Sequence, residues 1–346
     1  MNDNQLPISI SKYFDSLNEF LSSTKKDNIF ILADENTLAY CVPLLLKNAE
    51  LLQGAEIIET ESGEHNKNLS LTQNLWEYLT RKKASRNSLW INLGGGVITD
   101  LGGFVASTYK RGISFINIPT TLLAQVDASV GDKTGIDFLG YKNQIGVFSQ
   151  ADFTYINPLF LNTLPKRQIL SGFAEIIKHA LIADKHYWNA IVELDFSSFD
   201  MWEKIIRRSV EIKLSIVNAD PYEQGLRKVL NFGHTVGHAL ETWFLNTNTP
   251  YLHGEAIAQG IIAEALLSVK NTGLSLEEFE LIQAFILSIY GKCRRFDVVE
   301  VLEIMQQDKK MKHGKLQFSL LSKIGESTFD CEVPTEDVVE SLHYLL

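Results

Sequence analysis

The chain changes texture near residue 165, and that change limits its fold more than any single motif does. Before it, NIFILAD (28–34), AEIIET (55–60), SLWINLGG (88–95) and ISFINIPTT (113–121) read as strands, and LTQNLWEYLTRKKA (71–84) as an amphipathic helix. Strands alternating with helices predict a parallel sheet with helices on its faces. After it, LPKRQILSGFAEIIKHALIADKHYWNAIVE, MWEKIIRRSVEIKLSIVNAD, LNFGHTVGHALETWFL and HGEAIAQGIIAEALLSVK all carry helical spacing. Only KLQFSLLSKIGESTFDC (315–331) returns to a β-like pair. A single ordinary core does not extend over 346 residues. The expected plan is an α/β domain with a parallel sheet over 1–164, followed by a mostly α-helical domain over 165–346.

Charge and cysteine usage exclude several classes. A net charge of −10, from 32 basic and 42 acidic residues, argues against a nucleic-acid surface held by general electrostatics. It leaves room for a local basic pocket that receives a phosphorylated metabolite. Cys41, Cys293 and Cys331 are odd in number and far apart, which fits neither a disulfide framework nor a Cys-rich zinc site. A reducing compartment is expected. The start, MNDNQLPISISKYF, lacks a charged stretch leading into an apolar one, so a secretory signal is not expected. Apolar runs such as IIAEALL are broken by charge well short of the ~20 residues that a membrane span needs. The expectation is a soluble cytoplasmic protein.

In a parallel sheet, ligands sit at the carboxyl ends of the strands. The glycine cluster in LGGGVITDLGGFVAS (93–107) and the pair Thr120-Thr121 both fall there. Successive glycines free backbone N–H groups to approach a pyrophosphate at a helix N-terminus. The spacing is not G-x-G-x-x-G, because counting from Gly94 and Gly96 the last position is Thr99, and no Walker Lys-Ser/Thr pair follows. A dinucleotide turn and a purely structural tight turn both fit. Asp100 either caps the helix or holds a cofactor group.

In the second half, NFGHTVGHALE and the later HGEA gather His234, His238, Glu241 and His253 in a chain with eight histidines. Positions i and i+4 share a helix face, so His234 and His238 can address one space. Two imidazoles and a carboxylate with an open position form the ligand set of a catalytic zinc site. A polar helix–helix contact with satisfied histidines is the other reading. Lys110, Arg111, Lys133, Lys142 and Asn143 lie among glycines, and Lys178, Lys213, Arg227, Asn231, Lys309 and Lys310 follow. A metal with several cations nearby suggests a small, multiply anionic, oxygen-rich substrate.

Taken in order, GGGVITDLGGFVASTYKRG, IPTTLLAQVDASVGDKTGID, YKNQIGVF, AEIIKHALI, LRKVLNFGHTVGHALE and LHGEAIAQG closely resemble the 3-dehydroquinate synthase family, over roughly residues 60–325. The resemblance implies a Rossmann-like N-terminal domain that binds NAD, a helical C-terminal domain that carries Zn2+ or Co2+, and a homodimer. The implied reaction turns 3-deoxy-D-arabino-heptulosonate 7-phosphate into 3-dehydroquinate and phosphate, in the shikimate pathway of aromatic amino acid biosynthesis. It runs through transient oxidation by NAD, phosphate elimination, re-reduction and intramolecular aldol closure.

The resemblance also implies the roles of individual residues. Glu175 joins His234 and His253 as metal ligands, His238 becomes a proton-handling residue near the substrate, and Glu241 is structural. Ser62, Gly63, Glu64 and Lys67 correspond to an adenosine-side loop. Gly96, Val97, Ile98, Thr99, Asp100, Thr120 and Thr121 contact NAD, and Phe160, Leu161, Asn162 and Thr163 form its domain-junction contact. Asp127, Lys133, Asn143, Lys178, Lys213, Arg227 and Asn231 line the substrate pocket, with Lys142 on cofactor or substrate and Lys133 near both. Lys133, Lys178, Arg227, Asn231 and His238 would carry the catalytic work. Arg111 reaches the phosphate of the neighbouring subunit's substrate, and Lys309 or Lys310 closes the phosphate side.

Three positions depart from the family pattern: Thr99 and Asp132 each stand at a usual glycine, and Asp137 replaces the asparagine of TGIN. Asp132 either turns away or pairs with Lys133, or else the pocket is altered. The nearest rival is another NAD- and metal-dependent sugar phosphate cyclase that makes a cyclitol. Such an enzyme needs no site for a substrate carboxylate, whereas Lys133, Asn143 and Arg227 are all present here. Metal-dependent alcohol dehydrogenases share the two-domain plan but lack the GDKTG and YKN loops.

Overall fold

Apolar runs in the first half build a sheet that is buried on both faces. The computed structural model describes residues 7–139, 141–194, 200–245, 247–307, 311–312 and 315–346. The chain forms two compact units, Met1–Pro165 with Trp202–Val210, and Lys166–Met201 with Glu211–Leu346. The first unit thus takes in a piece of helix from beyond residue 165.

Unit 1 contains strands β1 (Ile8–Ile10), β2 (Ile29–Asp34), β3 (Glu56–Thr60), β4 (Leu89–Gly94), β5 (Ser114–Pro119), β6 (Lys133–Phe138), β7 (Tyr141–Phe148) and β8 (Phe153–Ile156). Its helices are α1 (Asp15–Ser23), α2 (Glu35–Tyr40), α3 (Val42–Asn48), α4 (Leu69–Arg81) and α5 (Gly96–Thr108). Six strands form one sheet in the order β1-β8-β5-β4-β2-β3, every neighbouring pair parallel. Alternation puts Ile31 and Ala33 of β2 in one apolar cluster and Phe30 and Leu32 in the other, as a strand covered on both faces requires. The strand order reverses between β2 and β4, and the glycine turn from β4 into α5 lies at that switch point. Helix α5 lies close against β4 because Gly102 has no side chain: a Cβ there would stand 1.8 Å from Asn92 Oδ1. Asn92 is itself buried, accepting from Trp90 Nε1 at 2.7 Å and donating to Asn117 Oδ1 at 2.8 Å.

The antiparallel hairpin of β6 and β7 is absent from the sequence reading. Its strands are rich in glycine and polar residues, and β7 is exposed almost throughout, so no apolar period announces it.

Unit 2 is built from α6 (Lys166–Ala183), α7 (Lys185–Val192), α8 (Asp200–Ala219, part of which belongs to unit 1), α9 (His234–Leu245), α10 (His253–Asn271), α11 (Leu276–Tyr290), α12 (Val298–Gln307) and α13 (Thr335–Tyr344). A small antiparallel sheet joins β9 (Met311–Lys312), β10 (Lys315–Lys323) and β11 (Glu326–Glu332) in the order β11-β10-β9. Helix α10 runs through the middle, packed against α6, α9, α11, α13 and β10. Two glycines make this possible. A Cβ on Gly254 would stand 1.9 Å from Ser171 O of α6, and one on Gly260 would stand 2.0 Å from Gly233 O just before α9. Among the described residues, no helix is long and apolar enough to cross a membrane.

Candidate functional site

In unit 2, three helices bring together the side chains expected to ligate a metal. Glu175 comes from the buried middle of α6, His234 from the first turn of α9 and His253 from the first turn of α10. Glu175 Oε1 lies 3.4 Å from His234 Nε2 and 3.3 Å from His253 Nε2. Donors bound at ~2.05 Å in a tetrahedral zinc site stand roughly 3.3 Å apart, so both separations equal the edge of such a site.

The protonation pattern points the same way. His234 Nδ1 faces the Phe232 carbonyl oxygen at 3.1 Å. That oxygen can only accept, so Nδ1 carries the proton and Nε2 presents a lone pair. Burial and the nearby Lys178 charge hold the ring's pKa below its ordinary value, keeping it neutral. A lone pair then faces a carboxylate oxygen, and both Glu175 oxygens are buried without a well-directed hydrogen bond. A divalent cation between these acceptors satisfies them, and an imidazole–carboxylate set suits Zn2+ or Co2+.

Charge is otherwise balanced by Lys178, which is 2 % exposed and ion-paired with Glu175 one turn earlier on α6. Burial alone would raise the Glu175 pKa; Lys178 and the two histidines outweigh it and hold the carboxyl well below the usual range. His253 behaves oppositely to His234. Burial opposes its protonation, but Glu175 and Glu241 prevail and raise its pKa to about 10, so a metal bound there would displace that proton. Glu241 Oε2 stands 3.3 Å from His253 Nδ1 and so orients this ring, a more specific part than the structural one expected for it. The ligand atoms of His234, His238 and His253 also fall within 4.8 Å of one another, so His238 borders the same space.

The loop before His253 is clamped by two arginines. Arg167 donates to Pro250 O at 2.8 Å and forms a bidentate pair with Glu255 at 2.7 Å, while Glu255 caps the Leu252 N–H at 2.7 Å. The Arg294 guanidinium lies over the Tyr251 and Phe244 rings, 4.0 and 4.4 Å from their centres. Arg227 and Asn231 are fixed by the preceding turn: Arg227 Nη1 donates to Pro221 O at 2.6 Å, and Asn231 Nδ2 to Glu223 Oε1 at 3.0 Å. Arg227 and Lys213 are buried, at 4 % and 7 % exposure. Lys309 and Lys310 lie outside the described residues.

In unit 1, the glycine turn opens α5 with Gly95 as its cap and no side chain on the first N–H groups, an arrangement suited to an anion. Gly96 and Val97 are half-buried, Ile98 and Thr99 buried, and Thr99 Oγ1 bonds back to Gly96 O at 3.1 Å. Thr120 is buried beside them, its N–H donating to Gly94 O at 3.0 Å, while Thr121 Oγ1 caps the next helical turn at 3.2 Å. Lys67, 3 % exposed, reaches Asn143 Oδ1 at 2.8 Å, Glu64 at 2.9 Å, Asp100 at 3.3 Å and Asp137 at 3.7 Å. Burial opposes its charge, but the carboxylates outweigh that and raise its pKa. The departure at Asp137 thus has a use, since the carboxylate faces Lys67 and also accepts the Asn143 N–H at 2.8 Å. Asn143 sits at φ +50°, so this bond holds a left-handed backbone.

Ser62 is tied to Glu35 by its N–H at 2.7 Å, and Gly63 follows at φ +110°. Phe160 and Leu161 are buried, whereas Asn162 and Thr163 are exposed. Lys133, Lys142 and Arg111 are exposed as well, and Asp127 is half-buried. Asp132 lies at φ +62° and lines one small hollow together with Thr99 and Lys133, so two of the three departures are neighbours.

Residues 57–171 match the family model described as 3-dehydroquinate synthase N-terminal, and residues 172–311 match 3-dehydroquinate synthase C-terminal. The 3-dehydroquinate synthase of Parabacteroides distasonis is 42% identical over 334 residues, covering 95% of this chain and 94% of that one. That of Acetivibrio thermocellus is 36% identical, covering 98% and 96%. Two solved structures share the fold. A 2-deoxy-scyllo-inosose synthase complexed with carbaglucose-6-phosphate, NAD+ and Co2+ has a TM-score of 0.85 at 24% identity, covering 98% of this chain and 96% of its own. A 2-epi-5-epi-valiolone synthase from Streptomyces hygroscopicus with NAD+ and Zn2+ has a TM-score of 0.86 at 23% identity, covering 100% and 98%. The sheet, the helical unit and both family matches agree: this chain belongs to the 3-dehydroquinate synthase family.

Proposed function

We propose that the protein is a 3-dehydroquinate synthase, a phosphorus–oxygen lyase acting on 3-deoxy-D-arabino-heptulosonate 7-phosphate with NAD and Zn2+ or Co2+. The single observation that carries the reading is the approach of His234 and His253 to the buried Glu175 carboxylate at tetrahedral-edge distances. When bound, NAD supplies a hydride acceptor that is restored within the turnover, and the metal supplies Lewis acidity at the substrate oxygen.

The chain's own residues do the positioning. Glu175, His234 and His253 hold the metal, with Glu241 orienting His253. Gly96 to Asp100, Thr120 and Thr121 receive NAD over the α5 N-terminus, with the Ser62–Lys67 loop on its adenosine side and Phe160 to Thr163 and Lys142 as further contacts. Lys178, Lys213, Arg227, Asn231, His238, Asp127, Lys133 and Asn143 serve the substrate. Fixed cations of this kind stabilise leaving phosphate without reorganising. Arg227 is buried and held by the Pro221 carbonyl, and its planar guanidinium has the geometry that matches a phosphate or carboxylate. His238, beside the metal ligands, is placed to pass a proton to or from a substrate hydroxyl.

Purified protein with NAD and zinc should release phosphate from the deoxy-heptulosonate phosphate without net NADH accumulation. Release from sedoheptulose 7-phosphate instead would make it a cyclitol-forming relative, and steady NADH build-up would make it a dehydrogenase. We also propose a cytoplasmic homodimer. Sedimentation as a 39.0 kDa species at working concentration would refute the dimer.

A further inference from the structure

Helix α10 contributes more to the metal centre than His253. Three turns further along, inside the apolar run IIAEALL, Glu264 is fully buried. Its carboxyl oxygens accept the Gly233 N–H at 2.7 Å and the Val236 N–H at 3.0 Å. Gly233 and Phe232 share one peptide plane, and the carbonyl side of that plane is Phe232 O, the atom facing His234 Nδ1 at 3.1 Å. A single planar amide is therefore held by Glu264 at its N–H and by His234 at its C=O. Gly233 has φ +78°, a conformation open to glycine but not to most residues, and a Cβ on it would stand 2.6 Å from Ile261.

We propose that Glu264 is a positioning residue for the metal centre, acting on His234 through the Phe232–Gly233 peptide as a carboxyl–peptide–imidazole relay. The inference rests on His234 being a metal ligand. The relay fixes the plane that selects the His234 tautomer and aims its Nε2 lone pair. It also polarises the amide, making the carbonyl a stronger acceptor and the imidazole a better donor to metal. Direct carboxylate–histidine contacts do this in many metal sites, and His253 has one in Glu241. For His234 the carboxyl group acts one peptide away.

The test measures zinc affinity by chelator competition and the visible spectrum of the cobalt-loaded protein, neither of which depends on turnover. Glu264→Gln keeps the size but sets an amide NH2 against one of the two N–H donors. It should raise the zinc Kd about 10–100-fold and shift the cobalt bands. Ser268→Ala is the control for mere destabilisation, since Ser268 Oγ bonds Glu264 O at 2.7 Å and accepts the Leu321 N–H at 2.9 Å on the same helix. It should lower the melting temperature and leave the zinc Kd within about twofold, a matching loss of stability without loss of binding. If Glu264→Gln behaves like Ser268→Ala, Glu264 only caps a helix and the relay is overturned. If Glu264→Gln does not fold, amide NMR of the wild-type protein decides: zinc should move the Gly233 N–H resonance together with the His234 ring, and an unmoved Gly233 refutes the relay. His234→Ala separates the two levels, because unchanged zinc affinity there overturns the ligand assignment itself.

Discussion

Glu175→Gln should weaken zinc binding by well over ~100-fold, beyond what loss of an outer partner costs, and should destabilise the metal-free protein by about 3–5 kcal/mol. The first effect follows from removing a buried anionic donor that lies 3.4 Å from His234 Nε2 and 3.3 Å from His253 Nε2. The second follows from Lys178, which is 2 % exposed and would lose its ion pair with the Glu175 carboxylate in a buried setting. Adding Lys178→Met to Glu175→Gln should recover much of the stability and none of the metal binding. Denaturant unfolding of the two single variants and the double variant gives the coupling, expected at about 1–3 kcal/mol. Glu175→Gln that bound zinc within twofold of the parent would remove the proposed ligand set.

Gly254→Ala should cost at least ~3 kcal/mol, at or above the usual range for overpacking, and should lower metal affinity with it. The new methyl group would meet Ser171 carbonyl oxygen at 1.9 Å and its carbon at 2.5 Å, backbone atoms that cannot swing aside. Helix α10 would have to retreat from α6 at its first turn, where His253 is anchored, and one turn before Glu175 on the facing helix. The Gly254 N–H, now bonded to Ser171 Oγ at 3.0 Å, would lose its partner as well. Thermal melting with and without zinc separates the two effects. A variant with normal melting and normal zinc affinity would mean that α10 can shift freely, contrary to its buried packing.

Legibility in the sequence followed burial. The strands β2, β3, β4 and β5 are apolar runs between turn residues, and the bounds of those runs agree with the strands to within a residue or two. β1 has three residues and β7 faces solvent, so neither carries a period that could be read. At the candidate site, the residue types of His234 and His253 gave them away. Glu175 did not stand out, because a glutamate at helical spacing reads as a surface residue, and only the family resemblance brought it forward. In the sequence the charge that interrupts IIAEALL only breaks an apolar run, yet that residue is Glu264, buried under the α9 N-terminus. A carboxylate in the middle of a core helix is costly unless satisfied, and that cost was the available clue. Asp137 departs from the family motif in the sequence, and only the structure shows its partner, Lys67, 3.7 Å away.

The short stretch Trp202–Val210 carries a consequence for synthesis. It buries Trp202, Ile205 and Ile206 within unit 1, and Arg207 donates to Ile10 O at 2.8 Å at the end of edge strand β1. The nascent sheet therefore cannot be finished when Pro165 is made and must wait for Val210. At a ribosome's ~5–20 residues per second, that leaves a few seconds with one flank bare. In that interval a chaperone, or another unfinished copy, has its best opportunity to bind.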